Sequence, residues 1–585
     1  MKLGSCRTWR WPVLFVAFLI AAGPAAAADY YNPAAIAERL AWLAASEPNL
    51  VHIRELAVSQ EKRKVWMVEV GAGSEQDRAV RPALLVVAGI ERNDLVGPVT
   101  VLSWIERLAK EYRKSSASVD LLNATTIYAV PCLNPDATEQ YFTEPRIERN
   151  VNGTPNDEDH DGLRDEDGCE DLNGDGLITL MRVEDKEGQY IADPNEPRLL
   201  LKADPLKGER PVWRLLPEGI DNDGDKRWNE DGPGGVNFNR NFPFAYVYFA
   251  PDAGVHPVSE DETRALADFV VAHPNIGIVL TYGAADNLRK TPKSGPPAGR
   301  SKPLETIRET DIGYYETFGK IYRAKLGLDQ ELEGVSEPGT FSDWMYFHRG
   351  RLSLAARPWD AAAAVAALKS QKDEKEKSRK PGDANTPDAG KKPDKDEDRR
   401  GADEREQLQW FDEHAPDAFL AWQAIEHPDF PGRRVEVGGW RPFAQTNPPL
   451  AILDELAEKQ GDFLTELVGR LPRLQIAKVA CRLLADSIYE IEILVTNVGF
   501  LPTALAHGET SQQVLPTRLT LELEPQCFLA GKRTTPLPTI SGSGGTAKAR
   551  YTVRVTGIEH IRFEVTSALA GRIQGTIELL KAGEQ

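Results

Sequence analysis

Val236-Asn237-Phe238-Asn239-Arg240-Asn241-Phe242-Pro243 is the stretch on which the reading of this chain turns. It lies inside a long region, from about Asn32 to Trp359, where amphipathic stretches such as Ala35 to Ala45 alternate with short apolar strands such as Val65 to Val70 and Ala83 to Ala88. That alternation predicts an α/β layer structure. Four further segments accompany the stretch in a fixed order: Gly89 to Pro98, Thr281-Tyr282-Gly283, Gly339 to Trp344, and the strand-like Val435 to Trp440.

Taken together these segments resemble the zinc carboxypeptidases related to carboxypeptidases A and D, over roughly Tyr30 to Trp440. The resemblance implies a mixed, mostly parallel sheet between helices. It also implies a zinc ion held by two His and one Glu, with a separate Glu as general base, since three protein ligands and a water suit catalytic zinc. The positions corresponding to Asn239 and Arg240 would bind a peptide's terminal carboxylate, a task suited to the guanidinium fork, unless Arg240 now serves an internal ion pair.

The metal-binding positions depart from that pattern. The His-x-x-Glu turn reads Glu91-Arg92-Asn93-Asp94, and the residue before Thr281-Tyr282-Gly283 is Leu280, which has no electron pair to offer zinc. The general-base position falls at Arg357, flanked by Ala356 and Pro358, so no carboxylate is restored. The resemblance therefore implies zinc while the residues do not supply its site. Two compensations follow as expectations: Arg357 neutralises Glu91 and Asp94, or those carboxylates hold calcium or magnesium. His52-Ile53-Arg54-Glu55 has ligand-like spacing, but on a strand the two side chains would diverge.

Acidic loops interrupt the region. Asp157-x-Asp159-x-Asp161-Gly162, Asp171-x-Asn173-x-Asp175-Gly176 and Asp221-x-Asp223-x-Asp225 have the one-three-five oxygen spacing that wraps calcium. In the second loop Leu177 offers a carbonyl at the seventh position and Thr179 a hydroxyl at the ninth, while Arg182 stands where an EF-hand places Glu. The loops resemble those of dockerin and thrombospondin-type repeats. Calcium is expected, in a structural role, across an insertion at 153–233.

The chain has 585 residues, of which 41% are hydrophobic, enough for two ordered domains plus tails. Lys2, Arg7 and Arg10, the apolar run Val13 to Ala22, and Ala26-Ala27-Ala28 form a secretory signal over 1–28, and no later segment would span a membrane. The carboxypeptidase-like domain covers 29–369, a charged run at 370–406 is expected to be disordered, and 407–445 completes the domain, with Leu408 to Ile425 read as helical. A connecting helix at 446–470 leads to an antiparallel β-sandwich at 471–585, marked by strands such as Ile488 to Val495 and Arg562 to Val565. Cys132, Cys169, Cys481 and Cys527 remain after signal removal, and both a Cys481–Cys527 disulfide and free thiols fit. The net charge of −19 argues against nucleic acid as a partner.

The sequence thus predicts an exported, periplasmic or cell-surface protein of carboxypeptidase fold that is catalytically inactive and binds peptide or cell-wall C-termini. The alternatives are an active metallocarboxypeptidase with an unconventional metal site and a calcium-stabilised structural surface protein.

Overall fold

The computed structural model describes residues 29–91, 94–157, 162–229, 232, 234–296, 304–328, 331, 334, 337–369 and 400–579. In chain order its principal helices are α1 (Pro33–Ser46), α2 (Val96–Tyr112), α3 (Asp261–Ala272), α4 (Ile312–Leu326), α5 (Phe341–Phe347), α6 (Ala402–His414) and α7 (Leu450–Gly469). The principal strands of the α/β part are β1 (Val51–Val58), β2 (Lys64–Val70), β3 (Ala83–Val87), β4 (Thr126–Val130), β5 (Leu180–Glu184), β6 (Tyr190–Ala192), β7 (Leu200–Lys202), β8 (Trp213–Pro217), β9 (Ile276–Tyr282), β10 (Leu352–Ala356), β11 (Phe419–Ile425) and β12 (Val435–Trp440).

Apolar residues fill every position of β3, β4 and β9 apart from isolated Thr and Gly, as expected of strands covered on both faces. They form the middle of a six-stranded sheet in the order β1-β2-β4-β3-β9-β10. The pairs β3–β4, β3–β9 and β9–β10 are parallel, and the β1–β2 hairpin joins β4 antiparallel. One face packs on α1, α2, α4 and α7 through residues such as Leu40, Trp104, Phe318 and Phe463. The other packs on α3 and α5 through Phe269 and Phe341. The helix expected as a connector, α7, is therefore part of the main core, and the Trp104 indole donates to Thr465 Oγ1 at 2.9 Å.

The acidic insertion leaves and rejoins this core at one point: the Asn152 amide donates to the Val236 carbonyl at 2.9 Å and the Val236 amide to Asn152 Oδ1 at 3.2 Å. Its strands belong to a separate six-stranded sheet, β11-β12-β5-β8-β6-β7. The segment expected to complete the main domain packs Trp410, Phe411 and Phe443 against Val96, Val99 and Trp359 and also lends β11 and β12 to this sheet, with β12 antiparallel to β5. The helical reading of Leu408 to Ile425 holds only to His414, since Pro416 opens a turn and Phe419 begins β11. The expected disorder at 370–406 also ends earlier, because α6 starts at Ala402 and Arg400 and Arg405 pair with Glu209 and Asp193 of the insertion. Residues 370–399 and the signal segment lie outside the described residues.

The C-terminal part comprises β13 (Leu474–Ala485), β14 (Ile488–Asn497), β15 (Arg518–Leu521), β16 (Phe528–Ala530), β17 (Thr534–Pro536), β18 (Gly545–Arg554), β19 (His560–Ser567) and β20 (Gly571–Glu578). They form two four-stranded antiparallel sheets, β13-β14-β18-β16 and β17-β15-β19-β20, over one apolar core. This is the expected β-sandwich. No disulfide joins Cys481 to Cys527, and Cys132, Cys169 and Cys527 are free thiols. The sandwich is fastened to the α/β part behind α5: Asp311 accepts the amides of Ala506 and His507, and the His507 ring stacks on Tyr346 at 5.0 Å. Among the described residues no helix is long and apolar enough to cross a membrane.

Candidate functional site

Ligands of open α/β sheets bind beyond the carboxyl ends of the parallel strands, and the resemblance points to the same place. After β3 the chain turns at Gly89, whose φ is +58° and where a Cβ would lie 2.9 Å from the Cys132 backbone. Asp94 then folds back under the turn. Its Oδ2 accepts the Gly89 amide at 2.5 Å and its Oδ1 the Gly97 amide at 2.7 Å in the first turn of α2. A Cβ at residue 97 would meet the Asp94 carboxylate at 2.3 Å, so glycine makes this tie possible. Burial pushes the Asp94 carboxyl up to about 7, the two amides pull it down and the Glu91 charge adds to the rise. Glu91 Oε2 accepts the amide of Ala284 just past β9, across Gly283, where a Cβ would lie 2.6 Å from that oxygen. Residues 92 and 93 lie outside the described residues.

Leu280 is fully buried in β9, registered between Val86 of β3 and Leu354 of β10. β10 reads Leu-Ser-Leu-Ala-Ala and carries no carboxylate in any register. Arg357 lies beyond its end, where its guanidinium donates to the Ala284 carbonyl at 3.2 Å and pairs with Asp360 at 3.4 Å. The expectation that Arg357 neutralises Asp94 is corrected: the two Asp94 oxygens are held by backbone amides, and the Arg357 charge goes to Asp360.

A buried ion cluster that the sequence reading missed completes this floor. Arg289 pairs with Asp360 at 2.6 Å and Asp286 at 3.3 Å and donates to the Arg357 carbonyl. Burial raises Asp360, but the Arg289 charge, the Ala363 amide and the Arg357 charge together hold that carboxyl below its ordinary range. The Asp286-x-x-Arg289 spacing straight after Tyr282-Gly283 was the available clue.

The donor set does not fit zinc. One ligand position is an aliphatic side chain in the core, another is a carboxyl tied by both oxygens, and the strand leading to the base position is apolar. A cavity of about 710 Å³ nevertheless opens at the ends of β9 and β10, walled by Phe244, Tyr346, Phe347 and Ala355, with Asp343 and Ser353 on its polar side. Asp343 lies in the first turn of α5, its amide capped by Thr340 Oγ1, and burial pushes its carboxyl up to about 6.

Asn239 and Arg240 occupy a tight turn, 238–240, pinned by the fully buried Phe238 and Phe242. Asn239 Oδ1 accepts the Phe341 amide at 3.1 Å, capping the approach to α5. Arg240 pairs with Asp252 at 2.7 Å, with both side chains about a quarter exposed.

The second and third acidic loops fold alike. Asp171 and Asp221 accept amides from the fourth and sixth residues of their loops, and the third and fifth side chains, Asn173 and Asp175 or Asp223 and Asp225, accept the amides two residues on. Carboxylate oxygens of Asp221, Asp223 and Asp225 lie within 4.8 Å of one another. In the first loop Asp157 accepts the Gly162 amide, whereas Asp159 and Asp161 lie outside the described residues. Two buried acids clamp these loops. Glu218 accepts the Leu172 and Thr179 amides at 2.8 Å each, with the Thr179 hydroxyl, so Thr179 faces Glu218. Asp167 accepts the Asn222 and Asn229 amides at 3.0 and 2.6 Å. Arg182 is committed elsewhere: its guanidinium donates to Glu436 of β12 and lies between the Trp213 and Trp422 rings.

Residues 36–175 match the zinc carboxypeptidase family, and residues 473–578 match a domain of unknown function. Carboxypeptidase D of Anas platyrhynchos is 34% identical over 104 residues, and that of Homo sapiens 32% over 111 residues; these stretches are 18% and 19% of this chain and 8% of each relative. The match thus spans under a tenth of the length of these two relatives. Among solved structures, bovine thrombin-activatable fibrinolysis inhibitor is 15% identical over 56% of this chain and 85% of its own, with a TM-score of 0.35. Carboxypeptidase A from Helicoverpa armigera is likewise 15% identical, over 56% and 63% of the two chains, with a TM-score of 0.33. On its matched residues 36–175 and its mixed, helix-covered sheet, the α/β part of this chain is similar to the zinc carboxypeptidases.

Proposed function

We propose that this protein is an exported, noncatalytic binding protein of carboxypeptidase fold. It binds the C-terminal end of a peptide or cell-wall stem at the Asn239–Arg240 turn, and calcium orders its acidic insertion. The observation that carries the reading is the state of Asp94: both oxygens are engaged by the Gly89 and Gly97 amides, in a site whose next ligand position is Leu280. Arg240, with Asn239 positioning its turn, would receive the ligand carboxylate by exchanging Asp252 for it, a trade favoured by their partial exposure. Export rests on the layout of residues 1–28.

The structural-scaffold reading has one observation of its own, the Arg240–Asp252 pair, which already satisfies the cation. The deciding experiment is metal analysis of protein purified without chelators and dialysed against trace zinc and calcium, joined to a hydrolysis assay on N-acylated dipeptides. Calcium without zinc, and no hydrolysis, is expected. Stoichiometric zinc with release of the C-terminal residue would establish an active metallocarboxypeptidase and overturn the proposal.

A further inference from the structure

A second cavity, of about 420 Å³, lies where four distant parts of the chain meet: Tyr30 ahead of α1, Tyr141 to Arg146, the end of α6, and 441–450. Rings make up its walls. Tyr141 packs edge-on against Tyr30 at 5.3 Å and Phe443 at 5.4 Å, and the Tyr30 hydroxyl donates to the Pro448 carbonyl at 2.6 Å, fixing the rings in place.

The charged groups at this cavity are accounted for, except one. Arg441 pairs with Asp417 at 2.6 Å. Asp29 accepts the Tyr30 amide. His414 has its Nδ1 2.8 Å from the Trp410 carbonyl and its ring stacked on Trp410. Arg146 has its guanidinium 4.3 Å over the Tyr141 ring and, among the described residues, makes no ion pair. Its Nε is buried without a hydrogen-bond partner. Buried polar groups in folded proteins are almost always satisfied, and a guanidinium held over an aromatic ring is preorganised for a planar two-oxygen acceptor. The backbone of Arg146 is equally fixed, its amide donating to Gly176 and its carbonyl accepting from Ile178 at 2.9 Å each.

We propose that this cavity is a binding site for a monocarboxylate carrying a planar ring, with the carboxylate on the Arg146 fork and the ring among Tyr30, Phe411 and Phe443. One cation left over once Arg441 is paired with Asp417, in a chain of net charge −19, disfavours a dianion such as phosphate, whereas one carboxylate balances one guanidinium. The site is separate from the cavity at β9 and β10 and does not depend on it.

The test is calorimetric titration of the full chain with 3-phenylpropionate and with 3-phenylpropanamide. Expected are saturable binding of the acid, about tenfold or greater weakening for the amide and for Arg146→Gln, and no change for Arg240→Gln. Tyr141→Leu, which removes the ring beneath the guanidinium, weakens the acid as well and serves if the Arg146 variant does not fold. Equal binding of acid and amide, or full affinity in Arg146→Gln, overturns the proposal. So does loss of binding in Arg240→Gln with Arg146→Gln unaffected, because that places the ligand at the Arg240 turn.

Discussion

Asp167 and Glu218 perform the same task in two different loops: each turns a buried carboxylate toward the backbone amides of a loop's second and ninth residues, Leu172 and Thr179 for Glu218, Asn222 and Asn229 for Asp167. Each clamp lies outside the loop it holds, Asp167 ahead of the second loop and Glu218 ahead of the third, so the loops are interlocked. Glu218→Ala leaves two inward amides without an acceptor, a loss of about 2–4 kcal/mol for charge-assisted bonds. Hydrogen exchange should show lost protection across both 171–179 and 218–229, with the amides of β3 and β9 unaffected.

Calcium binding is checked by stability. An ion that binds the folded loops alone stabilises by about 2.7 kcal/mol at a hundredfold excess over its Kd. Thermal unfolding should shift upward with calcium and downward with chelator. Replacing Asp221, Asp223 and Asp225 together by Asn should shrink that response, and an unchanged response would remove the third loop from the calcium sites.

Glu262 supplies a pH dependence. It is buried at the start of α3, neither carboxylate oxygen has a hydrogen-bond partner, and burial, with Asp136 and Glu260 nearby, pushes it from 4.5 up to about 8. The folded state therefore holds this proton more tightly than the unfolded chain. The resulting stability is complete below 4.5 and is lost as pH rises through about 8. Asp343, raised to about 6, acts in the same direction over a narrower range. Melting scans at pH 5.5 and 8.5 should show lower stability at the higher pH, and Glu262→Gln should remove roughly half of that difference.

Leu280→His tests whether the old metal site is one residue from recovery. An imidazole in place of a fully buried leucine is expected to cost about 2–4 kcal/mol in denaturant unfolding and to bring no zinc. Zinc uptake by this single variant would show that Asp94 releases its two amides on demand.

The central strands were legible because a sheet covered on both faces needs uninterrupted apolar runs, and Ala83 to Val87 is one. The acidic loops were legible through their spacing alone. The sheet of the insertion was not, because β5 pairs with β12 some 250 residues away and neither strand carries a mark of the other. Trp410, Phe411, Phe419 and Trp422 fit a helical period, yet Pro416 and the pairing of β11 with β12 divide them between a helix and a strand. The clamps Asp167 and Glu218 read as two more acids in an acidic region, since what distinguishes them is burial.

Gly350 and Gly508 approach so closely that a Cβ on the first would lie 2.4 Å from the backbone of the second, and a Cβ on the second 2.6 Å from the carbonyl of the first. One belongs to the α/β part and the other to the sandwich, so the boundary between them is a seam where neither side tolerates a side chain. Descendants of this chain are therefore expected to keep both glycines or to lose them in step, and a sandwich transplanted from another lineage would dock here only if it brought its own glycine to the seam.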